Sequence, residues 1–324
     1  MKLALIANDS KTVERLLCEL LYRLMHKYEV VLLLPPEAQS AHLPFNIEQI
    51  ALRHSNSFAV ARELSRLKAD VVLTAGLWAN TRAGTAARRI RLPHVAVVLP
   101  NEHLPPDYAP DFFRYCKAFS KSRMLFFCRT SDALEFFQFA IRHDNIKRLC
   151  DVGVNTAKIT ELEYPAKDAP FVIAVPDVTF SPNETILLKQ ALQKASKTVP
   201  EISFKSVGFC YIEAELLDCS ALFVPFPFDG DSLFMLTAAA CGRPCIAPDT
   251  KGLCELIGQM DMGITFHLGE EPSMINGALG IYALPYDKRK DLGKHARKHV
   301  ETFYNRKLIV ETIAATLRSI EKSL

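Results

Sequence analysis

Short apolar runs alternate with longer stretches of helical period along the whole chain. Residues 3–7 read as a buried strand. Residues 12–26 follow with Val13, Leu16, Leu17, Leu20, Leu21 and Leu24 at the spacing of one helix face. Residues 30–34 form a second apolar run, closed by Pro35 and Pro36, and 47–52 a third. An amphipathic helix is predicted over 58–68, strands over 71–74 and 95–99, and a basic helix between them over 81–91. Strands over 124–127 and 149–152 complete the first half. The polar segment 155–170 carries Pro165 and Pro170 and reads as a linker. The alternation then restarts, with strands over 171–175, 203–207, 221–224 and 245–247. Helices are predicted over 184–197, 232–240, 292–303 and 308–324.

Continuous apolar strands separated by helices predict parallel sheets covered on both faces, which bind ligands at the carboxyl ends of their strands. The expectation is an α/β chain of two Rossmann-like domains facing a central cleft, divided as 1–160 and 161–324. The last helix is a candidate for packing back on the first domain. A length of 324 residues agrees with two domains. No GxGxxG follows the first strand, where Ala7, Asn8, Asp9 and Ser10 stand, so a dinucleotide site has no footing there.

Composition narrows the classes. With 49% hydrophobic and 23% charged residues, the chain is an ordinary globular protein rather than a disordered one. The formal net charge of +3 is too small to argue for nucleic acid. Residues 1–163 carry a surplus of five positive charges and 164–324 a deficit of two. A mildly basic first half suits an anionic acceptor or an anionic membrane surface, and it equally suits ordinary solvated charge. Arg82, Arg88, Arg89 and Arg91 form its most basic stretch, a candidate for peripheral membrane contact or a solvated helix face. The nine cysteines include no CxxC pair, and Cys18, Cys128 and Cys210 lie in apolar runs, as reduced thiols do in a cytosolic protein. Cys241 and Cys245 straddle Gly242 and Pro244 and make a poor zinc half-site. No apolar stretch approaches the roughly 20 residues of a membrane span, so the expected location is the cytoplasm, with contact to the inner membrane face at most.

The densest motif begins at Leu222-Phe223-Val224-Pro225. It continues through Asp229-Gly230-Asp231-Ser232-Leu233 and Thr237 to Gly242-Arg243-Pro244-Cys245. This block resembles the strand, loop and helix of family-4 glycosyltransferases, which have the GT-B fold. Gly252-Leu253-Cys254-Glu255-Leu256-Ile257, Met262-Gly263-Ile264 and the 295–303 stretch resemble later pieces of the same family in order. Phe126 to Ser131 and Asp151 to Thr156 resemble pieces of its first domain and hinge.

The resemblance implies a glycosyltransferase that moves a sugar from a nucleotide-sugar to an acceptor hydroxyl with retention of configuration. It implies no cofactor and no essential metal. Its setting would be bacterial surface-glycan or glycoconjugate synthesis, with a glycan, lipid-linked or protein acceptor. Asp229 would contact the sugar, and Gly230, Asp231, Ser232 and Leu233 would line the sugar and diphosphate site. Thr237 would lie near the ribose, His103 near the reacting centre, with Glu102 as another polar contact. Physically, free amides at a helix start and the helix dipole favour a phosphate there.

The chain departs from the family at three places. Thr237 stands where the second motif glutamate is expected. Asp177 and Asn183 stand near the expected arginine and lysine, and the first-strand loop lacks its glycines. Lys251 is a candidate replacement cation, as is Arg243, although Arg243 more readily reads as a solvated surface residue. These departures keep a second class open: a non-catalytic glycosyltransferase-like subunit that binds a partner protein or glycan.

Overall fold

The computed structural model describes residues 1–38, 40–98, 122–127, 146–148, 153–208, 212–228 and 231–323. The chain divides into two compact units: Met1–Val152 with Leu308–Leu324, and Gly153–Lys307. The first unit therefore takes its last helix from the far end of the chain.

Unit 1 is built on seven parallel strands: β1 (Lys2–Ala7), β2 (Glu29–Leu34), β3 (Glu48–Ala51), β4 (Val71–Ala75), β5 (His94–Val98), β6 (Met124–Phe127) and β7 (Ile146–Arg148). Their order is β3-β2-β1-β4-β5-β6-β7, so the topological switch lies between β1 and β4. β1, β4 and β5 are buried throughout or nearly so, which is why they read as unbroken apolar runs. One face is covered by the segment after β1, comprising α1 (Ser10–Thr12), a π-helical turn (Val13–Leu17) and α2 (Cys18–Met25). The terminal helix α11 (Arg306–Glu321) joins that face through Ile309, Val310, Ile313, Leu317 and Ile320. The other face is covered by α3 (Ser57–Leu67) and α4 (Leu77–Arg89). The predicted basic helix thus begins four residues earlier than its charge pattern indicated. Leu77, Trp78 and Ala79 precede the first arginine, and the glycine at 76 sets the start.

Unit 2 carries five parallel strands: β8 (Phe171–Pro176), β9 (Ile202–Val207), β10 (Ala221–Phe223), β11 (Cys245–Pro248) and β12 (Gly263–Phe266), in the order β12-β11-β10-β8-β9. Its switch point lies between β8 and β10. The helices are α5 (Pro182–Thr198), α6 (Ile212–Glu215), α7 (Asp231–Ala240), α8 (Lys251–Met260), α9 (Glu271–Ala283) and α10 (Tyr286–Phe303). Met262-Gly263-Ile264, which resemble a later glycine turn of the family, lead into β12 from Gly263. A Cβ on Gly263 would lie 1.7 Å from the Cys245 carbonyl oxygen, so glycine is what lets β12 close against β11. α5 starts on a capping box between Ser181 and Glu184, with Pro182 in the first turn.

Residues 155–163 are not a free linker. They lie along unit 2, held by two guanidiniums. Arg297 donates to the carbonyls of Thr156 (3.2 Å), Ile159 (2.8 Å) and Ala240 (2.5 Å). Arg243 is 0% exposed and donates to the carbonyls of Leu162, Glu163, Leu216, Leu217 and Cys241. The expectation of a solvated Arg243, or of one that serves a ligand, is therefore wrong. Its guanidinium is spent on these five carbonyls, two of which, Leu216 and Cys241, also accept backbone amides.

In unit 1 a buried polar chain ties β4 to β5. The Asn80 amide nitrogen donates to the Val97 carbonyl (2.8 Å), which turns Asn80 Oδ1 toward the Thr74 hydroxyl (2.5 Å). Thr74 donates its one proton there. It then accepts from His94 Nε2 (2.7 Å), leaving His94 Nδ1 to accept from Ser122 (2.9 Å). His94 is consequently neutral, and burial holds its imidazole down at about 3.

Two outcomes follow from these buried groups. Arg243→Ala should lower stability in urea denaturation by about 3 kcal/mol, because a fully buried side chain and its hydrogen bonds to five carbonyls are lost together. The unfolded chain protonates His94 near 6.5 and the folded one near 3. Stability should therefore fall as pH drops through that window, by up to about 1.4 kcal/mol per pH unit. His94→Gln should remove that part of the slope.

Candidate functional site

Each unit presents its switch point at the carboxyl edge of its sheet, where diverging connections leave a crevice. In unit 2 the crevice is bordered by the connection after β8, by residues 224–228 after β10, and by the start of α7. The Val224 amide still bonds the Ile246 carbonyl, so the β10 ladder runs one residue past the strand. α7 then begins at Asp231, which is 2% exposed. Its carboxylate accepts from the Ser232 amide (2.5 Å) and the Ser232 hydroxyl (3.1 Å), and its own amide donates to the Phe228 carbonyl (3.1 Å). An acidic side chain thus occupies the positive end of this helix.

The structure brings Asp231, Ser232 and Leu233 together in the first turn of α7, with Thr237 one turn further along. Thr237 is 4% exposed and its hydroxyl donates to the Leu233 carbonyl (2.8 Å), which leaves the oxygen as an acceptor. Lys251 opens α8, which follows β11 at the same edge; its side chain lies outside the described residues. Asp229, Gly230, His103 and Glu102 also lie outside them.

Two features of this edge were not foreseen. Phe180, from the connection after β8, packs edge-on against Phe226 (5.4 Å) and Phe228 (6.3 Å), and Phe228 against Phe234 (5.5 Å). This aromatic cluster lies beside the 177–184 stretch where cations were sought. Glu184 in that stretch is engaged in the capping box of α5. The second feature is a pair formed by Asp249 and His267, 2.6 Å apart. Each lies one residue past its strand, on neighbours in register at Pro248 and Phe266. A polar residue at the end of each of two apolar runs was the available signal, and only knowledge of the pairing could connect them. The hydrogen bond to Asp249 raises the His267 pKa, and that to His267, followed by the Leu268 amide, lowers that of Asp249.

In unit 1 the first-strand loop is closed by its own side chains. Gly76 has φ +100°, and a Cβ there would lie 2.3 Å from the Asn8 carboxamide carbon. Asn8 Oδ1 accepts from the Ala79 amide (3.0 Å), so it caps α4 in place of a residue at 76. Asp9 caps α1 through the Thr12 amide (2.7 Å). The arginine cluster divides. Arg89 lies 3.7 Å over the Phe58 ring and donates to Ser57, while Arg88 and Arg91 line a pocket with Arg123.

Among the described residues no group of three or more His, Cys, Asp or Glu side chains could hold a metal ion. No helix among them is long and apolar enough to cross a membrane. Burial pushes the Cys219 and Cys241 thiols up to about 12 and Cys245 further in the same direction, so all three are protonated at neutral pH.

His267 should titrate above its ordinary value by NMR, and Asp249→Asn should return it toward that value. The pair should hold only between the lowered Asp249 pKa and the raised His267 pKa, weakening as pH rises through the latter or falls through the former.

No protein-family profile matches the chain, and no curated protein does. Solved structures match along its whole length. Sucrose-phosphate synthase (tll1590) from Thermosynechococcus elongatus superposes with a TM-score of 0.71 at 14% identity over 100% of both chains. Anabaena Alr3699/HepE in complex with UDP gives 0.73 at 16% identity over 98% of this chain and 100% of that one. The apo lipopolysaccharide outer core galactosyltransferase WaaB gives 0.70 at 13% identity over 98% and 99%. Identities this low speak to architecture, and on that point they agree: the chain has the α/β fold with two parallel sheets that these glycosyltransferases share, the GT-B fold.

Proposed function

We propose that the protein transfers a sugar from a nucleotide-sugar to an acceptor hydroxyl, using the carboxyl edge of unit 2 for the donor. The observation that carries this reading is the start of α7 beside the β8/β10 switch point, in a chain whose fold matches glycosyltransferases from end to end. The HepE structures hold UDP, UDP with glucose, and UDP-glucose, ligands of the class proposed for this site.

In the reaction the acceptor oxygen bonds to the anomeric carbon as the bond from that carbon to the diphosphate breaks. The bonding pair leaves on the diphosphate, and the acceptor proton is released. Charge develops on the leaving group, and the start of α7, with its dipole, would meet it. Ser232, in the first turn, would supply a hydroxyl, and Thr237, whose oxygen can still accept, would take a hydrogen bond from the ribose. Asp229 would hold the sugar hydroxyls and His103 would stand near the reacting carbon. Transfer would retain configuration, use no divalent metal, and serve surface-glycan synthesis on a glycan, lipid-linked or protein acceptor.

A second reading has its own support. Asp231 already fills the first turn of α7, and Phe180 packs on Phe226 and Phe228 beside the positions expected to be cationic. A non-catalytic subunit that keeps the scaffold and binds a partner fits those contacts.

Release of nucleoside diphosphate from a panel of uridine, adenosine and guanosine diphosphate sugars separates the readings. The transferase reading expects acceptor-dependent release that persists in EDTA and falls about ten- to hundredfold in Asp229→Ala. Absence of both release and nucleotide binding across the panel would favour the non-catalytic subunit.

A further inference from the structure

The amino edge of the unit 1 sheet, opposite the edge that faces ligands in such folds, carries a pocket of about 200 Å³. Gly84, Arg88, Arg91, Pro93, His94 and Arg123 contribute to its lining. His94 opens β5 and Arg123 immediately precedes β6, while Arg88 and Arg91 come from the end of α4 and the turn that follows it. Among the described residues the lining holds three guanidiniums and no carboxylate. None of the three side chains makes an ion pair or hydrogen bond within the described residues. Elsewhere Arg66, Arg243 and Arg297 each have such partners.

The backbone at Arg91 adds an independent observation. Its φ is +58°, in the left-handed region that favours glycine. The Leu92 amide bonds the Ala87 carbonyl and the Arg91 amide the Arg88 carbonyl, so α4 ends in a Schellman motif with arginine at the usual glycine position. The chain accepts an unfavourable conformation there, and the residue that adopts it joins Arg88 at the pocket. His94 contributes an uncharged wall, since Thr74 and Ser122 engage both ring nitrogens. The positive charge of the described lining is thus all guanidinium, which cannot be relieved by deprotonation.

We infer that this pocket is a second anion site, one that binds a phosphate group. Three planar forks match the tetrahedral oxygens of phosphate, and their combined charge suits a dianion or trianion better than a single carboxylate. A volume of about 200 Å³ leaves room for a phosphate monoester or a diphosphate. Phosphate could reach it as a small soluble metabolite or as the headgroup of an anionic lipid. The inference does not depend on the proposed transfer reaction, because the pocket belongs to unit 1 alone.

Calorimetric titration of the full chain with pyrophosphate tests it. Arg91→Gly removes a guanidinium while placing glycine where the backbone favours it, so its Tm should equal or exceed that of the unmodified protein. Its pyrophosphate affinity should nevertheless fall about tenfold. Arg88→Gln should lower affinity similarly, whereas Arg89→Gln, which alters the arginine stacked on Phe58, should leave it unchanged. A parallel sedimentation with phosphatidylcholine vesicles containing phosphatidic acid identifies the source. Loss of vesicle binding in Arg91→Gly points to a lipid phosphate, and vesicle binding that is absent or insensitive to Arg91→Gly points to a soluble one. No saturable pyrophosphate binding, or binding equal in the unmodified protein, Arg91→Gly and Arg88→Gln, would overturn the proposal. A failure confined to nucleotide-sugar turnover would leave it untouched.

Discussion

The dipole of α7 is compensated at both ends by the chain's own charges, and much of unit 2 is arranged around that fact. At its far end Arg297 donates to the Ala240 carbonyl and Arg243 to that of Cys241. The same two guanidiniums reach the carbonyls of 156–163 and so fasten that segment to the helix. α10 approaches closely enough to deliver Arg297 because Gly293 packs on the Gly242 turn, where a Cβ would lie 2.1 Å from the Gly242 carbonyl oxygen. At the near end the Asp231 carboxylate takes the Ser232 amide. A diphosphate arriving at α7 therefore meets a helix start that already holds a negative group.

Unit 1 repeats the device with a neutral oxygen. Asn8 Oδ1 takes the Ala79 amide in the first turn of α4, beside the β1/β4 switch point. In each unit a side-chain oxygen sits where the topology would otherwise leave amides open to a ligand. The two differ in what displacement would cost. Asn8 is locked against Gly76, whereas the Asp231 carboxylate bonds the Ser232 amide and hydroxyl beside it in the same turn.

Much of the architecture was legible in the sequence because parallel strands buried on both faces leave unbroken apolar runs, as in β1, β4 and β5. Elements with partly exposed faces were harder. β12 begins at a glycine required by close packing and reads locally as a turn. α9 has little face contrast, since it buries Met274, Gly277, Ala278 and Ile281 while apolar residues also lie on its other faces. Arg243 looked like a surface residue because a charge next to Gly and Pro usually is one, and nothing local announces five carbonyls converging from 162–163, 216–217 and 241. The site was legible as a strand–loop–helix block. Its electrostatics were not, because the Asp231 contact and the Phe180 cluster depend on tertiary placement.

Transfer at this site requires the first turn of α7 to accept a diphosphate in place of the Asp231 carboxylate. A crystal structure with a bound nucleoside diphosphate tests this most directly. The account predicts phosphate density at Ser232 and Leu233, with the Asp231 carboxylate no longer on the Ser232 amide. Density for the phosphates elsewhere, with Asp231 still seated on that amide, would contradict it.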